Sequence, residues 1–406
     1  MPGNPANLYF GANPCRPMEN AIKFLRIQNF KSIKDVTLHP RRVNLIIGEP
    51  NVGKSNLLEA MTLLGSITYE QTEKFMGSFI RYEEPRQLFY DNLVGNTIKV
   101  ETDKDVAVLL FEKEDKLFQY VFCDLNYYEE LAGQIVNNPI NRVIGKAENY
   151  VMRNLLHGKL DMRNSNNVPP EHLTYTEFDT QTIFGPGTDN IKEPYYETRL
   201  QSLAYSFSKS TGNNQDSGSS RLNPPHGSNL IEVIQSNSKL RQEIASMFER
   251  YGQKLQLRMN ERRLEIIKDQ DGIIYSYPYS SVADTLQRII FYLAAIESND
   301  DAVLLFEEPE AHSFPVYVSK LGRRIVESTN NQFFIDTHSP YLIDGILEDM
   351  LTDEAQAGEL AVFAAYYEDH QTKVHQLSDE EIRSIRNDSI DVFYNMKRFT
   401  TGRIDA

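Results

Sequence analysis

The chain has 406 residues, a formal net charge of −15 and a hydrophobic content of 40%, which suffices for a sizeable buried core. The acidic balance argues against a protein that coats nucleic acid with one basic face. No apolar run approaches the ~18 residues that a membrane span requires, and the first residues lack a secretory signal. The two cysteines provide neither a disulfide framework nor a metal cluster, so we expect a cytoplasmic protein without a membrane partner.

The N-terminal part of the sequence predicts a short tail followed by strands and a helix. Residues 1–20 are expected to be a disordered tail or the remnant of a tag. Residues 22–28 alternate apolar and polar side chains, as a half-buried strand does. Residues 43–47 are nearly all apolar, which is typical of a strand buried in a parallel sheet. A helix is predicted over residues 55–64, directly after a glycine-rich turn.

That turn, Gly48-Glu49-Pro50-Asn51-Val52-Gly53-Lys54-Ser55, matches the phosphate-loop pattern at every fixed position. Its glycines allow successive backbone N–H groups to face a phosphate, and the following helix adds the positive end of its dipole. We expect Lys54 to reach the β- and γ-phosphates of ATP and the Ser55 hydroxyl to bind Mg²⁺. A fortuitous glycine–lysine turn is the alternative. The predicted nucleotide contacts are Gly48, Pro50, Asn51, Val52, Gly53, Lys54, Ser55 and Asn56.

The middle of the chain changes character twice. Residues 98–122 contain three β-type runs separated by turn residues, which predicts an antiparallel meander. Residues 127–160 have a helical tendency, and residues 161–228 are rich in Asn, Ser, Pro, Gly and Thr. We therefore expect the N-terminal part of a domain over residues 21–125 and a helical and polar insertion, a lid or arm, over residues 126–228.

The domain is expected to resume over residues 229–345, followed by a strand and helix extension over residues 346–406. Residues 230–251 have helical spacing of apolar side chains. Two β-type runs and a tight turn follow, and a second helix is predicted over residues 284–298. Short apolar strands are predicted at residues 303–306 and 333–335.

Carboxylates follow one of these strands in Leu304-Leu305-Phe306-Glu307-Glu308-Pro309-Glu310. A parallel sheet presents its ligands at the carboxyl ends of its strands. We assign Glu307 to Mg²⁺ and Glu308 to the general base that orients and deprotonates an attacking water. A solvated acidic turn after a core strand is the alternative.

Polar residues at two other element ends complete the set of candidates. His338 follows the next apolar strand, and a histidine there can hydrogen-bond to a γ-phosphate and sense it. Ser281 and Asp284 lie at the start of the helix predicted over residues 284–298, where hydroxyl and N–H groups can bind a phosphate; an N-cap of a core helix is the alternative. Weaker candidates for contact with nucleotide or Mg²⁺, with an exposed loop as the alternative, are Arg81, Arg86 and Gln87.

The order of these motifs resembles the ABC-type ATPase heads of the RecF/SMC/OLD group, often described as AAA-family ATPases. Asn29-Phe30-Lys31-Ser32-Ile33 resembles the opening turn of that group, and Gly48–Ser55 its Walker A motif. Leu304–Glu310 resembles its Walker B motif, and Thr337-His338-Ser339-Pro340 its H-loop. The resemblance implies an α/β P-loop NTPase of ABC-ATPase type, with a mixed central sheet, an antiparallel β-subdomain and a helical or irregular insertion.

The resemblance also implies ATP and Mg²⁺ as cofactors, with Lys54, Glu308 and His338 as catalytic residues. It implies a homodimer, or a higher homo-oligomer, in which the helix that starts at Ser281 and Asp284 caps the γ-phosphate bound to the other subunit. The family usually carries a glycine in this signature, and this chain does not.

The function implied is an ATP-driven switch that acts on DNA or on a separate nuclease or toxin effector, in DNA repair or anti-phage defence. The short stretch after His338 contains no Toprim-type acidic constellation, and no heptad run predicts a coiled-coil arm. Two alternatives remain: a nucleotide-binding scaffold with little turnover, and a transporter ATPase subunit.

Overall fold

The computed structural model describes residues 18–65, 74–113, 116–126, 128–129, 173–178, 183–184, 202–209, 218–258 and 260–400. Of the tail expected over residues 1–20, residues 1–17 lie outside the described residues, and Asn20 is hydrogen-bonded to Asp301. Most of the insertion expected over residues 126–228 also lies outside the described residues. No helix in these ranges is long and apolar enough to cross a membrane.

The strands, in chain order, are β1 (Leu25–Phe30), β2 (Ile33–Leu38), β3 (Val43–Gly48), β4 (Ile98–Thr102), β5 (Asp105–Glu112), β6 (Leu117–Asp124), β7 (Leu173–Phe178), β8 (Ile183–Phe184), β9 (Ser202–Tyr205), β10 (Gln253–Arg258), β11 (Arg263–Gln270), β12 (Ile273–Pro278), β13 (Ala302–Glu307), β14 (Asn331–Asp336), β15 (Leu360–Glu368) and β16 (Gln371–Gln376). The helices are α1 (Lys54–Thr62), α2 (Leu230–Ser236), α3 (Ser238–Glu249), α4 (Asp284–Glu297), α5 (Pro315–Glu327), α6 (Pro340–Met350), α7 (Glu354–Ala357), α8 (Asp379–Asn387) and α9 (Met396–Thr400).

A mixed six-stranded sheet lies at the centre, in the order β16-β15-β3-β14-β13-β9. All its neighbours are parallel except β15 and β16. The three middle strands β3, β14 and β13 are buried along almost their whole length, as parallel strands covered on both faces are. Their carboxyl ends meet at one edge of the sheet, which is where open α/β sheets bind ligands.

A second sheet is antiparallel, in the order β2-β1-β4-β5-β6-β7-β8. Its strands β4, β5 and β6 form the meander that the sequence predicted. Helix α1 contacts strands of both sheets, and its Leu57 and Met61 share one core cluster with Ile27 and Phe334. This packing holds the start of α1 against the carboxyl edge of the central sheet. The mixed central sheet and the antiparallel subdomain confirm the predicted fold class.

A third, three-stranded sheet, β10-β11-β12, is antiparallel and shares a core cluster with helices α2, α3 and α4 on the other side of the central sheet. Helix α4 is buried from Leu286 to Ile296. The helix predicted over residues 284–298 is therefore confirmed within one residue. At its N-terminal end Asp284 is half-buried, and Ser281, just before the helix, is exposed.

Some elements differ from the prediction. The single helix predicted over residues 230–251 is two helices, α2 and α3, because the Asn237 side chain accepts a hydrogen bond from the Leu240 N–H and caps α3. Strands β7, β8 and β9 fall in the stretch predicted as an insertion, and β9 pairs with β13 at the edge of the central sheet. A strand of four residues in a polar stretch carries too little periodicity to be found.

Candidate functional site

The loop Gly48–Ser55 joins the end of β3 to the start of α1. A Cβ on Gly48 would lie 2.5 Å from the backbone oxygen of Ala365, so this position accepts only glycine. Lys54 is 5% exposed, and its ammonium donates hydrogen bonds to the carbonyls of Gly48 (3.2 Å) and Glu49 (3.0 Å). Burial lowers the pKa of Lys54, while Asp336 and Glu308 act in the opposite direction.

The hydroxyl groups of Ser32 and Thr372 hold this loop in place through hydrogen bonds. The Thr372 hydroxyl donates to the Val52 carbonyl (2.8 Å) and lies 2.6 Å from the Ser32 hydroxyl. The Asn56 amide donates to the same Ser32 oxygen (2.7 Å), and the Thr372 N–H donates to the Ser32 carbonyl (2.8 Å). The opening turn of the chain and strand β16 therefore fix the loop jointly.

Asp336 lies at the centre of the carboxyl edge. In the strand register it is level with Ile46 on β3 and with Glu307 on β13. Its side chain is 1% exposed, and one carboxylate oxygen accepts a hydrogen bond from the Ser55 hydroxyl at 3.1 Å. Burial raises the pKa of Asp336 to about 7, although Lys54 and the Ser55 hydroxyl oppose the shift.

Glu307, at the end of β13, is engaged by Arg81. The Arg81 guanidinium lies 2.6 Å from the Glu307 carboxylate and 2.8 Å from the carboxylate of Glu59 on α1. Lys31 also pairs with Glu59, and its ammonium donates to the Arg81 carbonyl at 2.7 Å. A four-residue ion-pair network thus connects the opening turn, α1, the segment after α1 and the end of β13.

Glu308 and His338 face each other across the ends of β13 and β14. The His338 Nε2 atom lies 3.7 Å from a Glu308 carboxylate oxygen. Glu308 has a φ of 40°, and its backbone N–H donates to the Asp336 carbonyl at 2.9 Å. Burial, followed by Lys54, lowers the pKa of His338, and Glu308 opposes this.

Glu310 holds the turn that carries His338. One of its carboxylate oxygens accepts hydrogen bonds from the Thr337 hydroxyl (2.5 Å) and from the His338 N–H (3.0 Å). The side chain is 7% exposed, and burial raises its pKa. Glu310 therefore positions the segment after β14 from the segment after β13.

A family model described as AAA ATPase domain matches residues 21–343. The chain belongs to this family of ATPase domains. Similar solved structures include an SMC head bound to the C-winged-helix domain of ScpA (13% identity, TM-score 0.44, 90% of this chain and 99% of that chain). Others are the SMC head domain from Thermotoga maritima (11%, 0.38, 88% and 99%) and the Smc head domain with an extended coiled coil bound to the C-terminal domain of ScpA derived from Pyrococcus furiosus (12%, 0.41, 91% and 99%). A search of curated proteins gives no match.

Within this AAA ATPase domain, most residues expected at the nucleotide lie at one edge. Lys54 and Ser55 begin α1 after β3, Glu307 ends β13 and is followed by Glu308, and His338 follows β14. Of the three weaker candidates, Arg81 contacts this edge through its ion pair with Glu307. Arg86 pairs with Glu84 instead, and the Gln87 side chain accepts hydrogen bonds from the N–H groups of Glu83 and Glu84.

Ser281 and Asp284 of the ATPase domain have other neighbours. The Ser281 hydroxyl donates to the Pro278 carbonyl at 2.7 Å, and Asp284 lies 3.3 Å from the ammonium of Lys209. Ser281 lines an open apolar groove of about 810 Å³ between α3, the β10–β12 sheet and the start of α5. Among the described residues, no hydrogen bond or ion pair joins Ser281 or Asp284 to the loop Gly48–Ser55.

Asp336 was not among the residues predicted from the sequence, and Glu310 was included only through the resemblance of Leu304–Glu310 to Walker B, which implies a place near the dimer seam and not a contact with Thr337 or His338. The first could have been found, because Asp336 ends an apolar strand just as Glu307 does, and the same rule on strand ends applies to both. Glu310 carries no such signal: its role depends on a turn that folds the segment after β13 onto the segment after β14. The supports of the loop, Ser32 and Thr372, are 340 residues apart.

Proposed function

We propose that this ATPase domain binds ATP at the loop Gly48–Ser55 and hydrolyses it. The observation that carries the proposal is the meeting of three strand ends at one edge of the central sheet. The end of β3 supplies a lysine and a serine, the end of β13 two glutamates, and the end of β14 an aspartate and a histidine. This set contains the phosphate-binding, metal-binding and proton-accepting groups that phosphoryl transfer to water requires.

Each side chain has a role that its position suits. Lys54 would exchange two neutral carbonyl acceptors for the charged β- and γ-phosphate oxygens, which bind an ammonium more strongly. Glu308, exposed at the end of β13, would orient the attacking water and accept its proton. Burial and Lys54 lower the pKa of His338, which favours its neutral form, and it would hydrogen-bond to the γ-phosphate.

The donors at this edge suit Mg²⁺, which prefers oxygen ligands and retains several waters. The Ser55 hydroxyl and a strand-end carboxylate, assigned to Glu307, are donors of that kind. Among the described residues, no group of three Asp, Glu, His or Cys side chains could hold a metal ion alone. The Ser55 hydroxyl and this carboxylate would therefore hold Mg²⁺ together with ATP. The ion supplies positive charge that neutralises the charge developing on the phosphates.

We further propose that ATP brings two copies of the chain together. Ser281 and Asp284 do not contact the phosphate loop of their own chain, so the N-terminal end of α4 is free to meet the γ-phosphate of a second copy. Phe314, which lines the same groove as Ser281, is 65% exposed. The output of such a switch would be DNA or a separate nuclease or toxin effector; stimulation of hydrolysis by duplex DNA would support the first.

One observation supports a second candidate function, a nucleotide-binding scaffold with little turnover. The carboxylate of Glu307 is bound to Arg81 rather than free for a metal ion, and a site in which no other carboxylate binds the metal ion would hydrolyse slowly. ATP binding without phosphate release by the wild type would favour this candidate.

ATP binding is tested by replacing the lysine of the loop. Lys54→Ala should weaken binding of a fluorescent ATP analogue by at least about tenfold, because the charge-assisted bonds to phosphate are lost, and should abolish phosphate release. Lys239→Ala, on the exposed side of α3, is the matched control and should match the wild type. Equal binding by the Lys54→Ala and control variants would exclude the loop as the phosphate site.

A further inference from the structure

Asp336 has a buried carboxylate that is only half satisfied. One oxygen, Oδ2, accepts the hydrogen bond from the Ser55 hydroxyl. The other, Oδ1, is buried and has no hydrogen-bond partner among the residues that the structure describes. A buried carboxylate without sufficient partners costs free energy that folding must offset, so this side chain requires an explanation beyond the packing of β14.

No described cation neutralises Asp336 directly. The charge of Lys54 acts on Asp336 without a hydrogen bond or ion pair, and its ammonium donates to two loop carbonyls instead. Glu307, level with Asp336 on the neighbouring strand, differs in this respect because Arg81 lies 2.6 Å from its carboxylate. Of the two carboxylates that lie level at this edge, the one beside Ser55 is thus the one that lacks a cation.

Bound ATP would increase the uncompensated negative charge around Asp336. Phosphates bound at the loop Gly48–Ser55 would place further negative charge near the Asp336 carboxylate, and like charges in a buried site repel strongly. A divalent cation between carboxylate and phosphates removes the repulsion. Its ligands would be the free Asp336 oxygen, the Ser55 hydroxyl and phosphate oxygens, all of the oxygen type that Mg²⁺ prefers.

We propose that Asp336, and not Glu307, is the carboxylate that binds the metal ion beside Ser55. This inference rests on the proposed ATP function. Glu307 remains paired with Arg81 and acts on the ion only through that pair or through water. The metal ligand predicted from the sequence was Glu307 on β13; the ligand proposed from the structure is Asp336 on the neighbouring strand β14.

The test measures metal binding directly. Mn²⁺ is titrated into the full-length protein with a non-hydrolysable ATP analogue and followed by electron paramagnetic resonance. Asp336→Asn should weaken Mn²⁺ binding by about tenfold or more, since even indirect partners of metal sites contribute that much, whereas Glu307→Gln should have a smaller effect. Asp105→Asn removes a buried carboxylate from the antiparallel sheet and should leave Mn²⁺ binding unchanged.

Binding of the same analogue in EDTA separates this inference from the proposed function. Asp336→Asn should bind the metal-free analogue at least as tightly as the wild type, because a negative charge near the phosphates is lost. Wild-type Mn²⁺ affinity in Asp336→Asn, or a larger loss in Glu307→Gln, would overturn the inference while ATP binding stands. A wild type that binds no analogue in either condition would overturn the proposed function as well.

A second variant covers the case in which Asp336→Asn does not fold. Asp336→Cys offers a thiolate, which favours the softer Cd²⁺ over Mn²⁺. The ratio of Cd²⁺ to Mn²⁺ affinity, measured with the analogue bound, should rise by about tenfold or more over the wild type. An unchanged ratio would contradict a contact between this side chain and the ion.

Discussion

Gly53 shows at the scale of one residue how tightly the phosphate loop is built. A Cβ at this position would lie 2.1 Å from the Thr372 hydroxyl oxygen and 2.7 Å from the Ser32 hydroxyl oxygen. Its φ of 94° is also a conformation that L residues rarely adopt. The pattern of the loop predicts this glycine, but the two hydroxyls that exclude a side chain come from opposite ends of the chain.

Gly53→Ala should therefore displace the loop and weaken binding of a fluorescent ATP analogue by about tenfold or more, a cost of roughly 1.4 kcal/mol or above. Gly272→Ala is the matched control, because Gly272 has a φ of 76° but open space around its Cβ. The control should lose stability through backbone strain alone and keep wild-type nucleotide affinity. Equal affinities for all three proteins would contradict the tight packing under the loop.

Glu310 gives a prediction on stability and pH. Burial raises its pKa in the folded state above the ordinary value of 4.5, so the folded protein binds this proton more readily than the unfolded chain. Its contribution to stability therefore falls as pH rises from about 4.5 through the folded pKa. Glu310→Gln removes this term, while its amide oxygen can still accept from Thr337.

The thermal midpoint of Glu310→Gln minus that of the wild type should therefore be more positive at pH 8 than at pH 5. Thermal unfolding followed by circular dichroism without nucleotide measures the difference. A difference in thermal midpoint that is equal at both pH values, or more positive at pH 5, would contradict a carboxylate whose pKa is raised by burial.

Between elements, the ion-pair network around Arg81 joins α1 to the end of β13. Glu59 is 5% exposed and is shared by Arg81 and Lys31. The guanidinium of Arg81 is 67% exposed, so we expect a small effect of its removal on stability, roughly 1 kcal/mol or less. The larger effect should be electrostatic, since a positive charge is lost beside the phosphate-binding edge.

Arg81→Ala should weaken metal-free binding of a fluorescent ATP analogue by about three- to tenfold, which corresponds to roughly 1 kcal/mol. Arg86→Ala is the control, because the Arg86 side chain is similarly exposed and pairs with Glu84 instead. The effect should shrink at high salt as screening increases. Indistinguishable binding by the two variants would mean that Arg81 has no influence on the phosphate site.

The sequence predicted those elements whose signal is local. The buried strand at residues 43–47, the meander and helix α4 follow from apolar periodicity and are confirmed. The break at Asn237 and the edge strand β9 were missed, because one depends on a side-chain cap and the other on a partner strand far along the chain. At the site, the position of Glu307 and Glu308 at a strand end could be predicted from the sequence. The ion pair between Glu307 and Arg81 could not, because the two residues are far apart along the chain and no local pattern joins them.

The exposed surface around Ser281 predicts that two copies of the whole molecule form a dimer when ATP is bound. Glu308→Gln, which should bind ATP without hydrolysing it, is expected to double in mass by light scattering when Mg²⁺ and ATP are added. Adding Ser281→Arg should abolish this doubling and leave ATP binding by the monomer intact, because bulk and charge are placed at the start of α4. Ser246→Arg, on an exposed position of α3, is the control and should still dimerise.

Phosphate release by Glu308→Gln decides whether the three strand ends form a hydrolytic ATP site. ATP-analogue binding and phosphate release are measured side by side for this variant and the wild type. We expect equal binding, and phosphate release lower by about 100-fold or more, because the general base is lost. A wild type without phosphate release above the protein-free rate, or a Glu308→Gln variant that releases phosphate at the wild-type rate, would contradict the account.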